Sequence, residues 1–523
     1  MKWLRRSTAL VLTSLVLVAC AQLVRTFDSG YYEEVDLSSG STVGQLVFSH
    51  NINGETQPCG CRKFPLGGLE QVAGHFHQLS QKGPLVYVDT GDLFFPSPLL
   101  PNNVQRSLGY TGEKLAEAMD QLGLKFFVPG DQDFALGIEW LDAIAKKSKF
   151  TFLLANLTDS TVLKSQRWAR LKVGKQQLIF IGIIDPELLK ATDASYFSSP
   201  DDAIRRALSE ANPASRDIVV LLSHAGMERD QKFAETFPRI NWIVGAHSQS
   251  YTQRPTEVGQ SQIVQVLSRN HFLGLFTFGL GAEDTKTNFG LLETREELAR
   301  AVTPNPMTAF LQSWREGLAR TQLEEQLAAN GGPEAADPLP TFNSCVECHQ
   351  KQSDFWQGTA HANAWHTLVA NKVDNDTSCV GCHSAGWQHP QGFMATPARV
   401  RFAPDAPAEA LGQYTEALTR NYSGIKSVRA LSTATRRKLA RGQAQLMEKF
   451  KVTHDYGNVQ CINCHDKKRD HPFDGSIAHD GSDMSQRCLT CHTSDQSPDW
   501  YDGAQVRETV VKQKIKSVAC PKK

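Results

Sequence analysis

Four short cysteine and histidine motifs in the C-terminal third of the chain are the residues best suited to chemistry. In each motif two cysteines are separated by two residues and followed at once by a histidine. Two thiols at this spacing add to the two vinyl groups of one haem, and the next imidazole reaches the iron as the proximal ligand. The sequence therefore predicts four haem c groups, attached through Cys345, Cys348, Cys379, Cys382, Cys461, Cys464, Cys488 and Cys491, with His349, His383, His465 and His492 as proximal ligands.

Structural zinc is the main alternative for paired cysteines. Zinc does not need a histidine directly after every pair, whereas haem attachment does. All four pairs carry that histidine. This part of the chain also has few large aliphatic runs, so four haem rings would supply apolar area that its own core lacks.

The second axial position of each iron decides what the haem does. A second histidine makes an electron carrier, whereas a vacant position can bind a ligand or substrate. Histidines that remain for this role are His361, His366, His389, His454, His471 and His479. His366 follows His361 by five residues and lies on a different side of a helix, so we do not expect both at one iron. For each of them a surface or hydrogen-bonded histidine is the alternative.

The segment 340–505, apart from a basic insertion at 405–451, resembles the tetrahaem cytochromes that carry electrons in hydroxylamine oxidation. The stretches that carry the resemblance are W-Q-G-T-A-H-A-N-A-W-H-T-L at 356–368, C-V-G-C-H-S-A-G-W-Q-H-P-Q-G-F at 379–393, 457–466 and 488–500. The resemblance implies distal ligands for the third, first and fourth haems, namely His361, His454 and His471. It also implies that the second haem, at His383, lacks a distal side chain. His389 lies just past that motif and His479 competes with His471, so both stay candidates.

Continuous apolar runs between residues 43 and 280 predict strands covered on both faces, with helices between them. We therefore expect an α/β layered domain followed by a mainly α, haem-packed multihaem cytochrome c domain. The predicted strands lie at 46–48, 85–88, 126–128, 152–154, 178–181 and 218–221, and the predicted helices at 112–122 and 138–146.

Five motifs in this α/β region resemble the calcineurin-type metallophosphoesterase fold in its periplasmic 5′-nucleotidase branch. They are His50-Asn51-Ile52-Asn53-Gly54, Asp89-Thr90-Gly91-Asp92, Gly130-Asp131-Gln132-Asp133-Phe134, Ser223-His224-Ala225-Gly226 and Gly245-Ala246-His247-Ser248-Gln249. Active members hold two divalent metals with carboxylates and imidazoles at strand ends. The resemblance makes Asp92, Asp131, His224 and His247 the candidate metal ligands.

The same motifs depart from the family at several ligand positions. Asn51, Asn53 and Gln249 replace metal ligands, Asp131 replaces an Asn of the bridging region, and Gln132 replaces the histidine that would stabilise the transition state. Neutral amides are poor substitutes for a carboxylate that holds a dication. One divalent metal can persist on this ligand set, but hydrolysis by two metals is not expected.

Cys59 and Cys61 form a C-x-C pair in the loop after the first predicted strand. The spacing is too tight for a relaxed disulfide, so a bond between them would be strained and easily reduced. Thiolates there could also bind a soft metal. These two cysteines are the candidate catalytic residues, and a structural disulfide or two inert thiols is the alternative. His75 and His77 follow on a predicted helix and could face the same cleft.

The sequence of the N-terminus is typical of a targeting segment. Lys2, Arg5 and Arg6 precede an apolar stretch that is too short to span a bilayer. The stretch ends in Leu-Val-Ala-Cys, which resembles a bacterial lipobox and makes Cys20 the lipidation site. An ordinary secretory signal is the alternative. We expect a periplasmic or outer-membrane lipoprotein of the cell envelope, which touches the membrane only through its lipid anchor.

The predicted organisation has five parts. They are a signal peptide at 1–20, a tether at 21–42, the metallophosphoesterase-like domain at 43–300, a helix and linker at 301–339 with an amphipathic helix at 306–329, and the tetrahaem domain at 340–523. Lys plus Arg and Asp plus Glu number 55 each, so the chain lacks the basic excess of a nucleic-acid-binding protein.

The leading hypothesis is an exported tetrahaem cytochrome that exchanges electrons with redox partner proteins and carries a degenerate metallophosphoesterase-like module. One alternative is a redox enzyme that acts at an open haem at His383 or at Cys59 and Cys61. A further alternative is a metal-dependent nucleotidase or phosphoesterase with an appended cytochrome. The haem motifs are complete whereas the phosphoesterase ligands are not, and this favours the first hypothesis.

Overall fold

The computed structural model describes most of the chain as two compact units, the first made chiefly of the chain up to Gln312 and the second of the chain from Ser313. The described residues are 43–58, 66–100, 104–248, 250–280, 287–329, 338–371, 373–374, 376–389, 391–394, 396–407, 409–425, 427–465, 483–493, 496–502 and 505–521. Cys20, Cys59, Cys61, Gln249, His471 and His479 lie outside them. No helix in these ranges has the length and apolar character needed to cross a bilayer.

Two six-stranded sheets build the described part of the first unit. Their strands are β1 Val43–Ser49, β2 Leu85–Asp89, β3 Leu124–Phe127, β4 Thr151–Phe152, β5 Trp168–Val173, β6 Gln176–Ile184, β7 Ile218–His224, β8 Trp242–Gly245, β9 Thr256–Val258, β10 Ser261–Val264, β11 Phe272–Gly279 and β12 Thr287–Glu293. The sheet orders are β12-β11-β1-β2-β3-β4 and β5-β6-β7-β8-β10-β9. The central strands are parallel, and β11, β12, β5 and β9 run antiparallel at the edges. Five of the six predicted strands are confirmed, whereas of 152–154 only Phe152 lies in a strand, β4.

The core of this unit lies between the two sheets. Trp242 on β8 stacks on Phe276 on β11 with ring centroids 4.6 Å apart, and Phe126 meets Phe180 at 4.8 Å. β1, β6 and β7 are almost wholly buried. Their continuous apolar sequences follow from this burial, because a strand between a second sheet and a layer of helices has no face in water.

Helices connect the parallel strands, as the alternating pattern predicts. They are α1 Leu69–Ser80, α2 Gln105–Leu122, α3 Ile138–Lys147, α4 Ala191–Ala194, α5 Pro200–Ala211 and α6 Met227–Thr236. In α5 the buried residues Ala203, Ile204, Ala207 and Ala211 recur at helical spacing and pack against the second sheet. The predicted long helix is confirmed with the predicted bounds, as α7 Pro306–Ala329.

The second unit is mainly helical, as predicted. Its helices are α8 Phe342–Val346, α9 Gln350–Gln357, α10 Ala364–Ala370, α11 Thr377–His383, α12 Ala410–Asn421, α13 Thr433–Lys449, α14 Cys461–Cys464, α15 Asp483–Leu489 and α16 Glu508–Val518. Two short antiparallel pairs accompany them, β13 Val400–Phe402 with β14 Val452–Asp455 and β15 Tyr501–Asp502 with β16 Gln505–Val506. Two small apolar clusters form the described core, one around Tyr414 and Leu439 and one around Trp365 and Tyr456.

A buried carboxylate organises this second unit. Asp455 has no exposed surface, and Arg399, which is 5% exposed, forms an ion pair with it. Tyr414 Oη donates to Asp455 Oδ2 at 2.7 Å and Gln443 Nε2 donates to the same oxygen at 3.0 Å. The Arg399 guanidinium also lies 4.5 Å from the centre of the Trp365 ring. A buried charge needs such partners, because losing one leaves the other uncompensated.

We predict that Asp455→Ala lowers the free energy of unfolding of the second unit by about 3–5 kcal/mol, because it leaves the Arg399 charge buried alone. Chemical denaturation of the full chain followed by tryptophan fluorescence would measure the change. Asp405→Asn is the matched control, since Asp405 pairs with Lys451 at the surface and its loss should matter little. Equal effects of the two substitutions would contradict the assignment.

Candidate metal centre and haem-attachment sites

Four side chains meet at the carboxyl ends of parallel strands in the first unit. Asp92 follows β2, Asp131 follows β3, His224 ends β7 and His247 follows β8. One ligand atom from each lies within 4.8 Å of the others. The structure thus brings together the four residues that the sequence predicts as metal ligands. Carboxyl ends of parallel strands converge in such folds, which explains why residues so distant in sequence meet.

His224 is oriented by a hydrogen bond on the far side of its ring. Its Nδ1 donates to the carbonyl oxygen of Thr90 at 2.7 Å, so Nε2 is the nitrogen that faces the carboxylates. Nε2 lies 3.2 Å from Asp131 Oδ1 and 3.5 Å from Asp92 Oδ1. His247 Nδ1 approaches the same Asp131 oxygen at 3.0 Å. A histidine held in this way is preorganised to bind a metal through its second nitrogen.

The backbone around the cluster is tightly constrained. Asp92 and His247 have positive φ angles of 56° and 69°, which non-glycine residues adopt only at some cost. At Gly130 an added Cβ would lie 2.3 Å from Asp92 Oδ1 and 2.4 Å from His224 Cε1. Glycine is therefore required at position 130 for the loop to approach the two ligands.

The electrostatics of the cluster are those of a cation-binding site. Burial disfavours a charged His224, but the carboxylates of Asp92 and Asp131 outweigh it and raise the pKa of His224 to about 9. Burial opposes the charge of Asp131 as well, yet hydrogen bonds with His224 and His247 lower its pKa. Burial and the neighbouring Asp131 charge raise the pKa of Asp92, against the effect of His224. Without a metal, the proton on His224 compensates the two carboxylates.

Neutral amides surround Asp92 as donors. Asn51 Nδ2 donates to Asp92 Oδ2 at 2.7 Å, and Gln132 Nε2 donates to the same oxygen at 2.9 Å. Within the described residues, the buried amide oxygens of Asn53 and Gln132 have no hydrogen-bond partner. Orphaned buried oxygens beside two carboxylates and two imidazoles fit one hydrated divalent cation in this cleft.

His50 decides which way the Asn51 amide points, and the sequence motifs did not reveal this role. The Val266 backbone N–H donates to His50 Nε2 at 2.9 Å, so the proton of the neutral ring is on Nδ1. Nδ1 donates to Asn51 Oδ1 at 2.7 Å. Burial lowers the pKa of His50 to about 4, which keeps the ring neutral. The amide NH2 of Asn51 must then face Asp92, and its oxygen is turned away from the metal position.

Other buried carboxyl groups near the cluster support its loops. Asp133 accepts hydrogen bonds from the backbone N–H groups of Phe94 and Gly130, both at 2.8 Å. Burial raises the pKa of Asp133, with the Asp92 charge as the next cause. His75 Nε2 bonds the carbonyl oxygen of Glu293 at 3.0 Å. The expectation that His75 could face the same cleft as Cys59 and Cys61 stays a prediction, because those cysteines lie outside the described residues.

The haem-attachment motifs lie at helix ends in the second unit, with Cys345 in α8, Cys379 in α11, Cys461 in α14 and Cys488 in α15. The His383 ring donates from Nδ1 to the carbonyl oxygen of Ala364 at 2.7 Å, which makes Nε2 the nitrogen that can bind an iron. His492 Nδ1 is hydrogen-bonded to Ser497 Oγ at 2.7 Å. Burial lowers the pKa of both histidines, to about 4 for His492. Neutral, oriented imidazoles beside paired thiols fit covalently bound haem.

Each motif has another motif as a neighbour. The Cys345 thiol lies beside that of Cys461, and the Cys491 thiol lies beside that of Cys382. The Cys464 thiol also lies near those of Cys488 and Cys491, so the third motif adjoins both the first and the fourth.

The distal candidates differ in their surroundings. The His361 ring lies 6.3 Å from that of His492, centroid to centroid, at an angle of 64°. This contact places His361 beside the histidine of the fourth motif, and its assignment to the third haem stays a prediction. His366 stacks on Tyr422 at 4.0 Å and contacts the carbonyl oxygen of Ile425 at 3.3 Å, as a hydrogen-bonded core histidine does.

Two further candidates stay predictions. His389 is exposed, and its Nδ1 accepts a hydrogen bond from the Gln391 backbone N–H. His454 lies on β14, with its ring 5.9 Å from that of Tyr456. Neither contact decides whether an iron is bound.

We predict that Mn²⁺ binds the Asp92 cluster more weakly as the pH falls, by about tenfold for each pH unit below about 9, because the metal must displace the His224 proton. Calorimetric titration at about pH 6.5 and about pH 8.5 would show this, together with proton release. His75→Gln, which changes a buried histidine outside the cluster, should leave the dependence unchanged. An affinity that does not vary with pH would contradict the charged state of His224.

Comparisons with known proteins agree with both units. Residues 344–401 match the family model described as cytochrome c554 and c-prime. The chain is 24% identical to a 5′-nucleotidase of Bos taurus over 206 residues, which are 36% of this chain and 34% of that protein. It is 27% identical to an apyrase of Anopheles gambiae over 248 residues, 42% of each chain. The chain thus spans less than half the length of these curated relatives.

A 5′-nucleotidase precursor from Thermus thermophilus is a similar solved structure, with a TM-score of 0.45, 21% identity, and coverage of 53% of this chain and 59% of that one. A sulfate thiohydrolase from the same organism also has a TM-score of 0.45, with 19% identity and coverage of 52% and 60%. The N-terminal part of this chain has the two-sheet α/β fold of the 5′-nucleotidase type of calcineurin-like phosphoesterase, and its helical C-terminal region carries a cytochrome c554 family match.

Proposed function

We propose that the protein is an exported, lipid-anchored tetrahaem c-type cytochrome that exchanges electrons with redox partner proteins in the cell envelope. The observation that carries this proposal is the set of four complete attachment motifs, in which His383 and His492 are oriented by hydrogen bonds at their Nδ1 atoms. The cytochrome family match supports it. The anchor at Cys20 rests on the lipobox-like sequence, and the absence of a basic excess favours protein partners over nucleic acid.

Haem, when attached, supplies a reversible one-electron step between two oxidation states of iron. The chain supplies the positions. The first and third motifs lie side by side in the chain's fold, as do the second and fourth. Short distances between attachment points suit a protein that moves electrons through its interior.

The first unit serves, in this proposal, as a domain that binds one divalent cation and does not catalyse two-metal hydrolysis. The chain of hydrogen bonds from Val266 through His50 to Asn51 supports this assignment. It aims an amide NH2 at Asp92, where a second cation would need a negatively charged oxygen. The remaining donors, Asp92, Asp131, His224 and His247, suffice for a single ion.

We predict that replacing both Cys461 and Cys464 by serine lowers the pyridine haemochrome absorbance per chain by about a quarter, because one of four attachment sites is lost. Cys520→Ser is the matched control, as Cys520 belongs to no motif. Unchanged absorbance in the double variant, or a wild-type chain without covalent haem, would rule out the proposed function.

We also predict that the wild-type chain binds one Mn²⁺ at the Asp92 cluster and that Asn51→Asp adds a second binding event. The new carboxylate can accept from His50 through one oxygen and face the cleft with the other. Titration calorimetry would count the ions, and assay of nucleotide hydrolysis would accompany it. Asn288→Asp adds the same charge at an exposed position of β12 and should change nothing. Two ions and efficient hydrolysis in the wild type would favour the phosphoesterase alternative instead.

A further inference from the structure

The segment 405–451 lies beyond the 344–401 family match, and several of its side chains contact the rest of the second unit. The segment is rich in Arg and Lys, and the structure shows what several of these side chains bind. Arginines on α13 bind the end of α9, and residues around 422–443 hold the turn that carries His361.

Asn363, two residues after His361, is the centre of these contacts. It has no exposed surface. Tyr422 Oη donates to Asn363 Oδ1 at 2.8 Å, and Asn363 Nδ2 donates to the carbonyl oxygen of Arg436 at 3.4 Å. The Tyr422 ring stacks on His366 at 4.0 Å. Tyr422 therefore contacts the start of α10 at two points, Asn363 just before the helix and His366 in its first turn.

The arginines fix the helix that leads into this turn. Arg437 Nε donates to the carbonyl oxygen of Asp354 at 3.0 Å, and Arg441 Nε donates to Gln357 Oε1 at 3.3 Å. Arg436 binds the carbonyl oxygens of Val428 and Arg429 at 3.1 and 2.7 Å, which anchors α13 to the preceding loop. Cations near the last carbonyls of a helix stabilise its end. The insertion thus stabilises the end of α9, from which the chain continues to α10.

The opposite side of the turn is held by the segment between β14 and α14. The Val459 backbone N–H donates to the carbonyl oxygen of His361 at 3.2 Å. Asn458 Oδ1 accepts from the Trp365 backbone N–H at 2.8 Å, and its Nδ2 donates to Gln443 Oε1 at 3.0 Å. Gln443 lies on α13, so the insertion reaches this side as well. The His361 backbone is fixed from two directions.

We propose that the insertion 405–451 is a positioning element for His361 as an axial haem ligand, and that the Tyr422–Asn363 hydrogen bond holds the turn that carries it. In this arrangement Tyr422 and Asn363 act through the backbone on which His361 lies. The inference rests on the proposed haem attachment and adds to it a structural role for a segment that attachment itself does not need.

Electron paramagnetic resonance of the oxidised full-length protein, with integrated high-spin and low-spin ferric signals, tests this role. Tyr422→Phe keeps the ring that stacks on His366 and removes the hydroxyl. We expect the high-spin signal to rise above the wild-type level by up to one haem per chain, and added imidazole to restore the low-spin signal. Asn363→Ser, which shortens the acceptor, should act in the same direction and serves if Tyr422→Phe accumulates poorly.

Tyr414→Phe is the matched control, because it removes a buried hydroxyl from Asp455 in the same unit. It should lower stability without raising the high-spin signal. An equal rise in Tyr414→Phe, or wild-type spectra in both Tyr422→Phe and Asn363→Ser, would overturn the positioning role. Counting haems by pyridine haemochrome distinguishes a failure of the proposed function from a failure of the positioning role. Fewer than four haems in the wild type would contradict the proposed function. Four haems with an unchanged spin state in the variants would contradict only the role of the insertion.

Discussion

A charge that is buried in a protein must have a counter-charge within reach, and this constraint shapes both units of the chain. In the first unit Asp92 and Asp131 share the charge of His224. In the second unit Asp455 is matched by Arg399. The two solutions differ in kind. An imidazolium can give up its proton to a metal, so the first charge is exchangeable, whereas a guanidinium stays protonated and the second is permanent.

The cluster with the exchangeable charge is suited to binding a metal, whereas the permanent ion pair is suited to stabilising the fold. The cluster around Asp92 lies at the ends of parallel strands. Among the described residues, two buried amide oxygens of the neighbouring loops have no hydrogen-bond partner. The permanent pair is Arg399 and Asp455. Asp455 at the end of β14 accepts hydrogen bonds from Tyr414 on α12 and Gln443 on α13, and so connects the strand to both helices. From β14 the chain continues directly to Asn458, Val459 and the third attachment motif. The fixed charge pair thus anchors the backbone that leads to the third motif and that donates a hydrogen bond to His361.

Much of the fold follows from the sequence, because a strand that is buried on both faces has a continuous run of apolar residues. Such runs mark β1, β2, β6 and β7. The limits of α7 are marked by Pro306 and by the Asn-Gly-Gly-Pro cluster that follows the helix. β5 does not, since Trp168–Val173 is an edge strand with alternating exposure. The four metal-ligand candidates were found because their motifs occur in the order in which the strands do.

Contacts between distant segments could not be found in this way. His50 controls Asn51 through Val266, which lies 216 residues away, and no local pattern announces that hydrogen bond. The contact between the rings of His361 and His492 depends on where α10 and the fourth motif lie in the folded chain, and no local pattern shows that contact. The amino-acid composition of the insertion shows that it carries many positive charges. It does not show which backbone carbonyl oxygens those side chains bind.

A complete metal inventory of the purified wild-type protein tests the account most directly. Haem content by pyridine haemochrome and total metal by mass spectrometry would be measured on the same sample, after expression with a haem-attachment system and equilibration with Mn²⁺. The account predicts four haem irons per chain and a single further divalent ion in the first unit. Fewer than four covalent haems, or two further divalent ions per chain, would contradict it.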